Sequence, residues 1–118
     1  MIILSHKKME VWKFSIELVK EIYLLTQSFP KSEIYGLTSQ VRRAAISIPS
    51  NISEGLARSS SKEKGRFLDI ARSSLVELDT QIEISLQLNY LELKSIDNLS
   101  KLSNSTFAML TKLINNYR

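Results

Sequence analysis

The sequence predicts an all-α protein, an antiparallel up-down-up-down four-helix bundle with a proline-kinked second helix. Three observations predict it. Apolar residues recur at three- and four-residue spacing through four segments, and no segment sustains strand-like alternation. Only three glycines and two prolines punctuate the 118 residues. The connections between segments are short, which makes successive helices antiparallel neighbours. A chain of this length is one domain that buries roughly two-thirds of its unfolded surface. Its 43% hydrophobic and 24% charged residues are the balance of a folded globular protein.

The first helix is expected over residues 10–28, after a flexible tail over 1–8. Val11, Phe14, Leu18, Ile22, Leu25 and Phe29 form its apolar stripe. Trp12, Ile16, Val19 and Tyr23 widen that stripe to about 200°. So wide an arc exceeds a one-sided stripe, so part of it faces something beyond the partner helices. Pro30 ends the helix, because it disfavours helical backbone at Phe29 and donates no hydrogen bond.

The second helix is expected over 34–57. Leu37, Val41, Ala44, Ala45, Ile48, Ile52 and Leu56 make a narrower face, and Pro49 sits inside it. Either the helix breaks and restarts with Ser50 as a cap, or it continues with a kink. The stripe keeps its phase across Pro49, which favours the kink. The third helix is expected over 61–88. Ser60 and Glu63 have the spacing of a capping box. Its core face is Phe67, Ile70, Ala71, Leu75, Leu78, Ile82 and Leu86, and Asn89-Tyr90 marks its exit. The fourth helix, over 95–116, carries Leu99, Leu102, Thr106, Met109, Leu110, Leu113 and Tyr117 on one face. Lys112 and Arg118 suit the negative end of its dipole.

Composition removes most chemistry. The chain has no cysteine, which excludes a disulfide scaffold, a thiolate metal site and a cysteine nucleophile. His6 is the single histidine, so a two-histidine metal site is out of reach. No glycine-rich phosphate loop is present. A carboxylate-only Mg²⁺ site built from Glu54, Asp69 or Glu83 is the metal chemistry the composition leaves. The expectation is a non-enzymatic protein with no catalytic residue, no cofactor and no metal. No apolar run approaches the length of a membrane span or a signal sequence, so the protein is expected to be soluble and cytoplasmic.

The net charge of +4 is uneven. Residues 42–72 carry seven basic side chains (Arg42, Arg43, Arg58, Lys62, Lys64, Arg66 and Arg72) against three acidic ones. Residues 73–100 carry five acids against Lys94. The basic block is expected at one end of the bundle, where it could contact the phosphates of RNA or DNA. The alternative is a solvated turn that serves solubility. A polar stripe along helix two, of Gln40, Arg43, Ser47, Asn51, Glu54 and Arg58, reads as an interface, a pore lining or a plain solvent face. Trp12, Val76 and Ile84 fall at or beyond the edges of their core faces and point to contact between copies.

Several strings then match a known pattern. Phe29-Pro30, Glu33, Tyr35-Gly36-Leu37, Gln40-Val41-Arg42-Arg43-Ala44-Ala45, Ser47-Ile48, Asn51-Ile52 and Glu54-Gly55 resemble the 23S rRNA intervening-sequence protein family. Phe67, Ala71, Ser74, Glu77-Leu78 and Asn89-Tyr90-Leu91 resemble its second block. The resemblance spans about residues 9–115 and implies a small helical bundle that forms a ring-like homopentamer. It also implies basic surfaces that bind nucleic acid or a reverse transcriptase, as in the related accessory proteins of diversity-generating retroelements. The rival expectation is a scaffolding oligomer with a protein partner and no nucleic acid.

Overall fold

A computed structural model describes residues 1–117, and Arg118 lies outside them. Four helices carry the fold: α1 (Glu10–Thr26), α2 (Leu37–Ala57), α3 (Ser61–Gln87) and α4 (Asp97–Asn115). Short 3₁₀ turns at Ser5–Lys8, Lys31–Glu33 and Leu93–Ile96 lead into α1, α2 and α4. No strand occurs among the described residues. At about 1.5 Å per residue, the 27 residues of α3 account for most of the 43 Å long axis.

Each helix packs on the next, and α4 returns to α1, so the four close around one core. Trp12, near the start of α1, donates from Nε1 to Ser53 Oγ near the end of α2, at 3.0 Å. Arg42, near the start of α2, donates to Thr26 Oγ1 at the end of α1, at 2.9 Å. Leu18, Ile22, Val41, Ile48, Ile52, Leu68, Leu78, Leu110 and Ile114 fill the interior. Contact between α2 and α3 is the most extensive, because small residues (Ala44, Ala45, Gly55, Ala71 and Ser74) let the backbones approach. Two buried serines of α3 are satisfied within their own helix: Ser85 donates to the Gln81 carbonyl at 2.8 Å and Ser74 to that of Ile70 at 3.0 Å.

Three expectations change. Residues 5–8 form a turn and bury His6, whose ring meets that of Trp12 edge-on at 5.5 Å, so this stretch is not a free tail. On α3, Leu68 is buried while Ile70 is exposed, and Phe67 is half-buried. The inward face there runs Leu68, Ala71, Ser74, Leu75, Leu78, and small hydroxyl residues share it with the large apolar ones. On α4, Ile114 joins the core at 1% exposure, a position the sequence stripe left out. Helix α2 is continuous through Pro49 and does not restart at Ser50. Pro49 is buried, and Ser53 donates to its carbonyl at 2.9 Å.

Candidate functional site

The basic block does not sit at one end. Arg42 and Arg43 lie at the start of α2, and Arg58 lies just past its end. Sixteen residues of helix separate them by about 24 Å. The single-end expectation fails because it treated neighbours in sequence as neighbours in space across a whole helix.

The α2–α3 turn gathers Arg58, Lys62, Lys64 and Arg66. Ser60 caps α3 by accepting the Glu63 N–H at 3.1 Å, with the extended backbone a cap requires. Lys64 Nζ donates to the Leu56 carbonyl at 3.1 Å and so satisfies an acceptor left open at the end of α2. Arg58 and Arg66 both lie over the Phe67 ring, at 4.7 and 4.5 Å from its centre. Arg58 also binds Glu54 at 2.9 Å, and Arg66 binds Glu63 at 2.7 Å. The Arg66 hydrogen bond holds the Glu63 carboxyl below its usual pKa. Lys62 is exposed. Arg72 stands further along α3, bonded to Asp69 and to Thr111 Oγ1, each at 3.1 Å.

The chain's first residues also meet this end. Leu4 and His6 line a hollow with Ser50, Ser53, Glu54, Ala57 and Arg58, so the chain's first residues dock beside the end of α2, while Lys7 Nζ donates back to the Ile2 carbonyl at 2.8 Å. Nothing local in residues 1–8 signals this, because the docking surface is Trp12 and α2.

The polar stripe of α2 keeps Gln40, Arg43 and Glu54 exposed and Ser47 and Asn51 half-buried. Ser47 Oγ donates to the Ala44 carbonyl and Asn51 Nδ2 to the Ser47 carbonyl, both at 2.7 Å. These are bonds of a helix to itself, and they assemble no acid–base pair. Among the described residues no group of three histidines or carboxylates is placed to hold a metal ion. Glu54 and Asp69 are each engaged by an arginine, and Glu83 accepts from Gln87 at 3.3 Å.

Two apolar surfaces lie on opposite sides of the bundle. Trp12, Ile16, Val19, Ile46 and Pro49 line the seam between α1 and α2. Trp12 is only half-buried there despite its inward bond to Ser53. Val76 and Phe107, 54% and 42% exposed, flank a groove between α3 and α4 floored by Leu75, Leu78, Ile82 and Leu99. Ile84 is exposed further along α3.

The opposite end is locked by polar contacts that the motif strings foreshadow without explaining. Glu33 Oε1 accepts the Leu37 N–H at 3.1 Å and caps α2. Its Oε2 accepts the Tyr90 hydroxyl at 2.8 Å. A Cβ on Gly36 would sit 2.6 Å from Glu33 Oε1, so glycine leaves the room this carboxylate occupies. Asn89, at φ 61°, ends α3 in left-handed backbone. The N–H groups of Asn89 and Tyr90 return to the Leu86 and Ser85 carbonyls, a Schellman arrangement. That turn aims Tyr90 at Glu33 and at Phe29, whose ring centre is 5.5 Å away. The Leu37 N–H and then the Tyr90 hydroxyl hold the Glu33 carboxyl below its usual pKa, and the same bond holds the Tyr90 phenol above its own.

No helix among the described residues is long and apolar enough to cross a membrane. The family model of the 23S rRNA-intervening sequence protein matches residues 7–112. No curated protein matches the chain. A crystal structure of a protein with unknown function, from the S23 ribosomal protein family of Bacteroides thetaiotaomicron, has a similar fold. It aligns with a TM-score of 0.78 at 21% identity, over 88% of this chain and 97% of the other.

Proposed function

The chain belongs to the 23S rRNA-intervening sequence protein family, and on that premise we propose that it is a non-enzymatic cytoplasmic bundle that associates with itself and binds nucleic acid, or an enzyme acting on it, through its basic end. The observation that carries this reading is the gathering of Arg58, Lys62, Lys64 and Arg66 around the α2–α3 turn. Side chains of this kind supply sequence-independent phosphate contacts, whose strength falls steeply with salt. The two apolar surfaces on opposite faces support self-association. Different faces meeting head to tail generate a ring when the rotation closes, and the ring in this reading has five copies, the number the family resemblance implies.

Fluorescence anisotropy with a structured RNA across a salt series tests the basic end. The wild-type affinity falls linearly on logarithmic axes, by about 0.9 per phosphate neutralised. Triple reversal by Lys62→Glu, Lys64→Glu and Arg66→Glu weakens binding and flattens the slope. Binding unchanged by that reversal sinks the nucleic-acid reading. Light scattering tests assembly, and a species of one chain's mass overturns it.

A second reading has its own support. Arg58, Arg66 and Arg72 each engage a carboxylate on their own helix or turn, which lowers the charge left for a polyanion. On that basis the protein is a scaffolding oligomer for a protein partner. A pull-down that returns a protein and no nuclease-sensitive component selects it.

A further inference from the structure

Some 24 Å of helix away from the basic turn, two adjoining hollows share Ile34, Thr38 and Arg42 in their walls. Tyr23, Ser39 and Arg43 continue one, and Thr26, Gln27 and Lys31 continue the other. Three cations line this space, and no carboxylate does. Arg42 is held in place before any ligand arrives. Its Nε donates to Thr26 Oγ1 at 2.9 Å, and its guanidinium lies 4.5 Å from the centre of the Tyr23 ring. Both Nη groups remain without a partner among the described residues.

Thr38 supplies an independent sign of a ligand. It is only 3% exposed and lines both hollows. As the second residue of α2, Thr38 has no helical carbonyl four residues back to take its hydroxyl proton. Its hydroxyl has no partner among the described residues, and in an otherwise buried residue its oxygen keeps access to the hollow. Thr38 and Ser39 also occupy the first turn of α2, where backbone N–H groups lack intrahelical acceptors. Glu33 takes the Leu37 N–H of that turn, and its other oxygen is turned to Tyr90.

We propose that this hollow binds a phosphate group, with Arg42 as its central contact, the unpartnered Thr38 hydroxyl as a donor from the wall, and Arg43 and Lys31 at the rim. Planar guanidinium groups match the oxygen geometry of phosphate, and that match, not the helix dipole, carries the attraction, since the Glu33 carboxylate already caps the α2 N-terminus. The phosphate source is either a free phosphate compound or the terminal phosphate of a nucleic acid. This site is distinct from the basic turn and does not depend on it.

Calorimetric titration with pyrophosphate tests the site. Thr38→Val and Arg43→Gln leave the melting temperature of the unliganded protein unchanged and each weakens pyrophosphate binding about tenfold. Lys62→Glu with Lys64→Glu leaves it unchanged, which separates this site from the basic turn. Tighter binding of a 5′-phosphorylated oligonucleotide than of its unphosphorylated twin assigns the phosphate to a nucleic-acid end, and equal binding assigns it to a free phosphate compound. The proposal is overturned if the wild type shows no pyrophosphate binding in the millimolar range. It is equally overturned if Thr38→Val and Arg43→Gln bind as the wild type does, or if the Lys62/Lys64 reversal weakens binding as much as they do.

Discussion

The two ends of the bundle are held together by different kinds of contact. At the α2–α3 turn the polar bonds are local: Ser60 to Glu63, Arg58 to Glu54, Arg66 to Glu63. At the other end the decisive bond joins Glu33 to Tyr90, 57 residues apart. The first end presents charge on a stem of short-range pairs. The second joins the two loops that lead into α2 and out of α3. The difference teaches that charged side chains on a helix–helix turn can be oriented by partners a few residues away. Fixing two loops against each other takes a shared, oriented hydrogen-bond acceptor.

The largest expected effect breaks the basic end at the close approach of α2 and α3. A Cβ on Gly55 would lie 2.8 Å from Phe67 Cβ and 3.2 Å from the Lys64 carbonyl oxygen. Neither atom is the free end of a flexible side chain, so α2 and α3 must separate. Gly55→Val is expected to destabilise by about 3 kcal/mol in chemical denaturation, the upper range for overpacking.

The next effect tests the loop lock. Glu33→Ala removes the cap on Leu37 and the acceptor for Tyr90 together, so it lowers the melting temperature more than Tyr90→Phe does. The lock also has a pH signature. Glu33 has a lowered pKa in the folded state, so its contribution is complete above the ordinary carboxylate range and is lost as pH falls through the lowered value. Tyr90 has a raised one, so its contribution is complete below the ordinary tyrosine range and is lost as pH rises through the raised value. A double-mutant cycle of Glu33→Ala and Tyr90→Phe is expected to show coupling at neutral pH that shrinks toward both extremes. A coupling that stays flat across pH argues against the lock.

The smallest effects return to the basic end. Ser60→Ala costs about 1 kcal/mol as a lost helix cap. Arg58→Gln changes stability by less than about 1 kcal/mol, because its ion pair with Glu54 is exposed to solvent. Thermal melts of the two variants check the order, and a larger loss for Arg58→Gln than for Ser60→Ala contradicts the picture of a lightly supported end.

Much of the fold was legible because helices announce themselves locally. The stripe of Val11, Leu18 and Ile22, the Ser60–Glu63 cap and the Asn89 exit each depend on residues a few positions apart. The core of α3 was read less well, since Ser74 and Ser85 face inward by bonding to their own helix, a choice that hydrophobicity does not record. The candidate surfaces were read in part. Arg58, Lys62, Lys64 and Arg66 share a turn and needed only sequence proximity to be grouped. Arg42 and Arg43 do not belong with them, and the docking of Leu4 and His6 on α2 has no local signal, because separation along a helix and docking of the chain's first residues are matters of three-dimensional distance.

By itself the sequence determined the helical class, the number of helices, the absence of cysteine chemistry and the family pattern, since each rests on residue type and short-range spacing. Only the tertiary structure decided that Pro49 lies inside a continuous helix, that the cations divide between the two ends of α2, that Glu33 reaches Tyr90, and that Thr38 lines a hollow beside three cations. Those outcomes turn on which surfaces of distant segments meet. The free energy of that meeting comes from burying the shared core, which no single segment can bury alone.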